Sequence, residues 1–293
     1  MGAINPEIQK RIATFPTMPT LSKFLMAHLN DPNVPVWRLA EQLRWDPGMT
    51  VNVLKVANSA LYGGRERVDS IQSAIVRLGL RQLYQIAVAV GISQVLKKSL
   101  LGYQLQPEEL LSHSVYVAVA SEEIAKTLGL QTSEMLFTAG LLHDLGKIVL
   151  NDFVQKESAK LMTHFQETHE GFDHMEREVL GICHAEVGGA LLKRWNFPEE
   201  LVAAVLWHHR PSEAGSWTPM VNIVHIADIL SYSQGIGTGV DGLQYKISKD
   251  AISSLGLTTS IIEGVAFHSL DKVRELSQIL NVTQKPSTAN SHS

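Results

Sequence analysis

The sequence predicts an all-α protein, because apolar residues recur at helical spacing and no stretch alternates apolar and polar residues between hairpin turns. No repeat with a period of about 20 to 50 residues is present, so a solenoid is not indicated. We expect two closely packed helical lobes over residues 1–103 and 104–281, followed by a disordered polar tail over residues 282–293. The clearest i, i+3, i+4, i+7 patterns are Val36, Leu39, Ala40 and Leu43, then Ile71, Ala74, Ile75 and Leu78.

Residue types that begin and end helices mark the limits of the predicted elements. Ser70 is placed to cap the helix that begins at Ile71, and Gly79 is placed to end it. Pro211 is placed to stop a later helix. Four glycines between residues 235 and 242 predict a mobile loop after Ser231.

Composition is typical of a cytosolic globular protein. A chain of 293 residues with 45% hydrophobic residues can bury a large core. The net charge of -4, the pI near 6.3 and the scattered Lys and Arg argue against nucleic acid as a partner. The single cysteine, Cys183, excludes an internal disulfide, and the N-terminus lacks the features of a signal peptide. Apolar runs such as residues 86–90 are too short to span a bilayer, so no membrane association is expected.

A series of histidines and carboxylates lies in the second half of the chain. Neutral imidazoles and carboxylates suit first-row transition metals, and such a site can lower the pKa of bound water and hold a phosphate. Five of the twelve histidines belong to the series, which therefore predicts a divalent-metal site. Its members are His113, His143-Asp144, His184, His208-His209 and Asp228.

The His143-Asp144 pair is expected near a helix end. Adjacent residues on a helix point about 100° apart, so both side chains can face one metal only where the helix stops or bends. Gly146 supplies such an end and lets the backbone approach the site closely. Lys147 would then project near the metal, where its ammonium could hold a phosphate oxygen.

Each histidine also has a plainer interpretation. A lone histidine on an apolar helix face is more often a hydrogen-bonded core residue than a ligand. Cys183 lacks the context of a nucleophile and is interpreted as a small buried hydrophobe. Apart from His225, which is i, i+3 to Asp228, six further histidines belong to no pattern and are interpreted as surface or incidental residues: His28, His164, His169, His174, His268 and His292.

The motifs of the second half resemble the HD superfamily of metal-dependent phosphohydrolases. They are Leu141-Leu142-His143-Asp144-Leu145-Gly146-Lys147, His184-Ala185-Glu186-Val187-Gly188 and His208-His209. The first half is similar to the HDOD family, whose modules are bacterial, all-helical and generally regarded as signal-output domains. Its motifs are Phe15-Pro16-Thr17-Met18-Pro19, Leu39-Ala40, Asp46-Pro47, Val56-Ala57-Asn58-Ser59, Ser73-Ala74-Ile75 and Leu78-Gly79-Leu80.

The resemblance to the related HD-GYP phosphodiesterases implies a set of metal ligands. One or two iron, manganese, zinc or nickel ions would be held by Glu109, His113, His143, Asp144, His184, His208, His209 and Asp228. In metal-assisted hydrolysis, Asp144 would bridge or orient the nucleophile and Lys147 would bind the phosphoryl oxygens. Arg210-Pro211-Ser212-Glu213 replaces the Gly-Tyr-Pro signature of those relatives, which argues against cyclic di-GMP as the substrate.

Three functions are compatible with the sequence. Family precedent favours a signalling module that contacts signalling proteins or a nucleotide second messenger. The alternative is a metal-dependent phosphohydrolase or phosphodiesterase acting on a nucleotide or cyclic dinucleotide. An open pocket at His143-Asp144 would support chemistry, and a filled one would support the module. A helix-turn-helix over residues 39–58 is the weakest reading, since its second helix offers only Lys55 to DNA.

Overall fold

The computed structural model describes residues 4–16, 35–44, 47–59, 62, 66–130, 133–168, 170–240, 242 and 245–280. Within these ranges the chain is helical and contains no strand, so the predicted all-α class is confirmed. The predicted polar tail over residues 282–293 lies outside them.

The described residues form a series of helices. They are α1 (Pro6–Thr14), α2 (Val36–Arg44), α3 (Pro47–Ala57), α4 (Ile71–Leu96), α5 (Glu109–Thr127), α6 (Ser133–Leu142), α7 (Gly146–Lys156), α8 (Ser158–Thr168), α9 (Phe172–Leu180), α10 (His184–Arg194), α11 (Glu199–Trp207), α12 (Thr218–Ser233), α13 (Lys249–Ser254) and α14 (Thr259–Ile279). Short 3₁₀ turns occupy Leu101–Tyr103, Pro211–Glu213 and Gly215–Trp217.

Helix α5 is the centre of the fold. It is apolar on most of its circumference and packs against α4, α6, α12 and α14, as expected of a helix buried on all sides. Gly140 brings α6 close to it, because a Cβ at Gly140 would lie 2.7 Å from the backbone of Ala118. Helices α7, α10 and α11 extend this arrangement, with α10 packed on both of the others.

The first half of the chain packs on the second through α4, which contacts α5 and α6. The buried apolar residues form one continuous cluster that includes Ile8 near the N-terminus and Leu280 at the end of the described chain. The boundary between residues 103 and 104 stays a prediction.

Helix α4 begins as expected and is interrupted where the sequence places a glycine. The Ser70 hydroxyl accepts a hydrogen bond from the Ser73 backbone N–H at 3.1 Å, which confirms the predicted cap. Gly79 has a φ of 77°, so it breaks the helix, although a second helical stretch follows at once.

The expectation that all apolar runs are too short to cross a membrane needs correction at α4. Among the described helices, Ile71–Leu96 is long and apolar enough to do so by length and composition. It is broken at Gly79, and half of its apolar window is buried inside the protein. A core helix has these same properties.

Candidate metal centre

The His143-Asp144 pair lies in the turn between α6 and α7, as predicted. Helix α6 ends at Leu142 and α7 begins at Gly146, so the two side chains are released from helical spacing and both face inward. A Cβ at Gly146 would lie 1.9 Å from the carbonyl oxygen of His184. The turn can therefore approach the start of α10 only because residue 146 is glycine.

One group of potential ligands lies between α5, α6 and α12. The Nε2 atom of His113 is 3.1 Å from Nε2 of His143, 3.2 Å from Oδ1 of Asp228 and 3.2 Å from Oδ2 of Asp144. All four side chains are at most 2% exposed. One atom from each of His113, His143 and Asp228 lies within 4.8 Å of the others.

A second group adjoins the first and shares Asp144 with it. Oδ1 of Asp144 is 3.5 Å from Nε2 of His184 and 3.9 Å from Nε2 of His208. The Nε2 atoms of His184 and His209 are 2.9 Å apart. Asp144 therefore directs one oxygen toward each group, as a carboxylate between two metal ions does. The structure brings together seven of the eight predicted ligands.

Hydrogen bonds behind the site fix the imidazole tautomers. Nδ1 of His143 lies 2.7 Å from the carbonyl oxygen of Gly140, and Nδ1 of His208 lies 2.7 Å from that of Val205. A carbonyl oxygen only accepts, so each Nδ1 is the donor. In the neutral ring, the lone pair of Nε2 is then directed into the site.

His184 and His113 are oriented in the same way. Nδ1 of His184 lies 2.6 Å from Oε2 of Glu176 and donates to that carboxylate. Nδ1 of His113 lies 2.9 Å from the Ser231 hydroxyl, which itself donates to the carbonyl oxygen of Asp228. Such partners are the usual supports of metal-ligating histidines.

The atoms that face the site fit a cation. The Nε2 lone pairs of His113 and His143 oppose each other at about hydrogen-bond distance, which is unfavourable unless positive charge lies between them. Several buried atoms also lack a hydrogen-bond partner, and a metal would provide one. They are Oδ1 of Asp144, Nε2 of His208, Nδ1 of His209 and both carboxylate oxygens of Asp228.

The electrostatics of the site also favour a bound cation. Burial raises the pKa of Asp144, but the adjacent His143 and Lys147 outweigh it and hold that pKa well below its usual range. Burial lowers the pKa of His143, yet Asp144 and Asp228 outweigh it and raise that pKa to about 10. Burial and the neighbouring His143 and His184 lower the pKa of His208 to about 3, so the imidazole of His208 is neutral, as a metal ligand must be. The carboxylates therefore attract positive charge strongly, as a proton or a metal ion.

Lys147 projects into the site from the first turn of α7. Its Nζ lies 2.6 Å from Oδ2 of Asp144 and 5.7 Å from the centre of the Tyr103 ring, and its side chain is 2% exposed. Lys147 therefore lies beside a potential ligand of the site. In this conformation the ammonium is paired with Asp144, and its predicted contact with a phosphoryl oxygen stays a prediction.

Glu109 is the predicted ligand that the structure does not bring to the others. Its Oε2 accepts a hydrogen bond from the Gln106 backbone N–H at 2.7 Å, at the exposed start of α5. It belongs to neither group of potential ligands among the described residues. The ligand role of Glu109 stays a prediction.

Glu176 is a supporting residue that was missed at the sequence level. Glu176 is fully buried and holds His184, while its other oxygen accepts a hydrogen bond from the Tyr103 hydroxyl. Its signal was present, since Glu176 shares the apolar face of α9 with Phe172 and Leu180 at i±4 spacing. His225 lies on α12 with Asp228, and its Nδ1 donates a hydrogen bond to the backbone carbonyl oxygen of His208 at 2.8 Å.

Aromatic side chains and a glycine-rich segment enclose the site. The Tyr245 ring stacks on His209 with centroids 3.9 Å apart, and the Tyr232 ring stacks on His113 at 5.1 Å. A Cβ at Gly237 would lie 2.5 Å from Cβ of His113, and the Val240 backbone N–H donates to the carbonyl oxygen of Tyr103. Within the described residues, the side chains of His143 and Asp144 are therefore at most 1% exposed.

This helical fold around a buried His/Asp centre defines an HD-type protein, and comparison with known proteins identifies the family. The HDOD domain family model matches residues 15–211, so the chain belongs to the HDOD family. The crystal structure of an HDOD domain protein of unknown function from Geobacter sulfurreducens has a TM-score of 0.69 and 28% identity, covering 93% of this chain and 94% of that chain.

More distant similarity agrees with this assignment. The chain is 27% identical over 225 residues to an uncharacterized protein of Treponema pallidum, covering 76% of this chain and 43% of that protein. A Marinobacter aquaeolei protein provisionally assigned to signal transduction has a TM-score of 0.71 at 17% identity, covering 94% of this chain and 64% of that chain, and shows the fold alone. The chain spans less than half the length of the curated relatives it matches.

Proposed function

We propose that the chain is a bacterial signal-output module built around a buried HD-type metal centre that stabilises and positions its helices. The observation that carries this proposal is the enclosure of the donor atoms. His143, Asp144 and Lys147 are at most 2% exposed, and Tyr245 covers His209. A substrate would have to displace packed side chains before it reached the ligands, whereas a structural centre needs no such access.

The donor set supports one or two divalent ions of iron, manganese, zinc or nickel. One group would be His113, His143 and Asp228, and the other Asp144, His184, His208 and His209. A bound ion would act there as a Lewis acid and lower the pKa of a coordinated water. The protein itself orients the ligands: Nδ1 of His184 donates a hydrogen bond to Glu176, and Nδ1 of His143 donates one to the carbonyl oxygen of Gly140.

The partners of such a module would be signalling proteins or a nucleotide second messenger, in the bacterial cytoplasm. This follows from the role generally ascribed to the family. The composition adds an argument about nucleic acid: a net charge of -4 gives no attraction to a polyanion, so nucleic acid is not proposed as a partner.

A metal-dependent phosphohydrolase acting on a nucleotide or cyclic dinucleotide is the second candidate. It is favoured by the nearly complete donor set and by Lys147 beside Asp144. In this function Asp144 would orient the nucleophile, and Lys147 would exchange its carboxylate partner for a phosphoryl oxygen. The turn after His209 does not favour a cyclic dinucleotide, because Arg210 is paired there with Glu213 at 3.0 Å and stacks over Trp207.

Metal content and hydrolysis measured on the same samples test both candidates. The samples are wild type, His143→Ala and the surface control His268→Ala, with bis(p-nitrophenyl) phosphate as the substrate. We expect wild type and the control to contain bound transition metal and His143→Ala to lose it. We also expect wild type to hydrolyse the substrate no faster than His143→Ala does. Metal-dependent hydrolysis by wild type that His143→Ala abolishes would replace the module with the phosphohydrolase. Folded wild type that stays metal-free on reconstitution would overturn the metal centre itself.

A further inference from the structure

A second group of potential metal ligands lies on the surface, at the corner between α8 and α9. His164 is on α8, Glu170 is in the connection, and His174 is on α9. One ligand atom from each lies within 4.8 Å of the others. This group contains none of the residues of the buried centre.

The geometry of the corner brings the three side chains close together. Nδ1 of His174 lies 2.5 Å from Oε2 of Glu170, and the rings of His164 and His174 are nearly parallel, with 12° between their planes and 6.3 Å between their centroids. His174 and Glu170 are about half exposed, at 44% and 47% of the side chain. A cation can therefore reach them from solvent, and they can adjust to it.

We propose that His164, Glu170 and His174 form a second, surface site for a zinc-class divalent cation. Two imidazoles and one carboxylate are a known donor set for Zn²⁺ sites that keep a position open to water. Four-coordinate Zn²⁺ with bonds of about 2.0–2.1 Å places its ligands about 3.4 Å apart. The ligand atoms of the three residues lie within 4.8 Å of one another. Side-chain rotations that move these atoms by little more than 1 Å, roughly the difference between the two distances, would bring them to the spacing of a zinc site.

The site would tie the α8–α9 corner to the buried centre through a single helix. His174 and Glu176 are two residues apart on α9, so they project on nearly opposite sides of it. His174 faces solvent, and Glu176 faces inward to hold His184. A cation at the corner therefore restrains the helix that orients one ligand of the buried centre.

The stoichiometry of bound Zn²⁺ in the full chain tests this site. Wild type, His164→Ala, His174→Ala and the control His268→Ala are loaded with excess Zn²⁺, dialysed against buffered Zn²⁺ and measured by elemental analysis. His268 is an exposed histidine outside the cluster, so it matches the surface change without touching the site. We expect each of the two cluster variants to bind about one equivalent less than wild type, and His268→Ala to bind as much as wild type.

Glu170→Gln keeps the side-chain volume and removes the anionic ligand, so it tests the carboxylate without altering either imidazole. We expect it to lower the affinity of the same equivalent. Undiminished stoichiometry in both histidine variants would overturn the site, as would an equal loss in His268→Ala. The His143→Ala variant separates the two sites. It should lose the metal of the buried centre and keep the one equivalent of Zn²⁺ at the surface site, so each proposal can fail independently of the other.

Discussion

One oxygen of Glu176 holds His184 at two points. Oε2 accepts a hydrogen bond from Nδ1 of His184 at 2.6 Å and from the His184 backbone N–H at 2.8 Å. The first bond fixes the tautomer, and the second fixes the start of α10. The direction of the His184 lone pair is therefore set by a residue that does not itself face the ligand cluster.

Glu176→Gln is expected to weaken metal binding about 10- to 100-fold, as the loss of a supporting carboxylate typically does. The amide keeps the size of the side chain and removes the charge that polarises the imidazole. Glu178→Gln is the matched control, because Glu178 is exposed on the same helix. Competition with a chelator of known affinity measures the effect. Equal affinity in both variants would show that Glu176 does not support the centre.

Gly146→Ala is expected to lower the free energy of unfolding by about 3 kcal/mol, at the upper end of the usual cost of overpacking. The added Cβ would lie 1.9 Å from the carbonyl oxygen of His184 and 2.9 Å from the backbone nitrogen of Gly188, both on α10. Denaturant unfolding followed by circular dichroism measures the loss.

Gly264→Ala provides a control of opposite sign. A Cβ there meets nothing within 4 Å, and the position is inside α14. Alanine should stabilise that helix by about 0.5–1 kcal/mol. A similar effect of the two substitutions would contradict the close approach at Gly146.

Much of the candidate site was predictable from the sequence, because five of its seven potential ligands lie at helix ends that leave a local signal. Gly146 marks the turn that lets His143 and Asp144 face one centre. Helix α11 ends at Trp207, just before His208, and Pro211 marks that end in the sequence. Helical spacing likewise predicted the fold class. Glu176 was also predictable in principle, as a carboxylate on an apolar face.

The position of the Tyr245 ring over the site was not predictable from the sequence. Tyr245 lies in an irregular segment with no periodicity, and its position over His209 depends on tertiary packing. The same limit applies to His164 and His174, which the sequence places on separate helices and which meet only at the corner between them. Glu109 has i, i+4 spacing to His113, but sequence spacing does not show the local contact in which its carboxylate accepts a hydrogen bond from the Gln106 backbone N–H.

Tyr245→Ala is expected to accelerate metal exchange at the buried centre. The ring stacks on His209 at 3.9 Å, so its removal opens a path to the ligands. Tyr245→Phe is the control, since it keeps the ring and removes only the hydroxyl that accepts a hydrogen bond from the Asp173 backbone N–H. The rate of metal loss to excess chelator should rise several-fold in the alanine variant and less in the phenylalanine variant. Unchanged rates in both would mean that Tyr245 does not limit access.

Cys183 is expected to react very slowly with thiol reagents in the native protein. Burial, together with the nearby carboxylates of Glu176 and Glu186, raises the pKa of this thiol, and only the thiolate is reactive. The residue is fully buried at the start of α10, so reaction requires local or global opening. Ellman's reagent should detect almost no thiol at neutral pH until denaturant is added, and then the one thiol of the chain. Rapid modification of the native protein would show that the start of α10, and with it His184, opens far more readily than this packing allows.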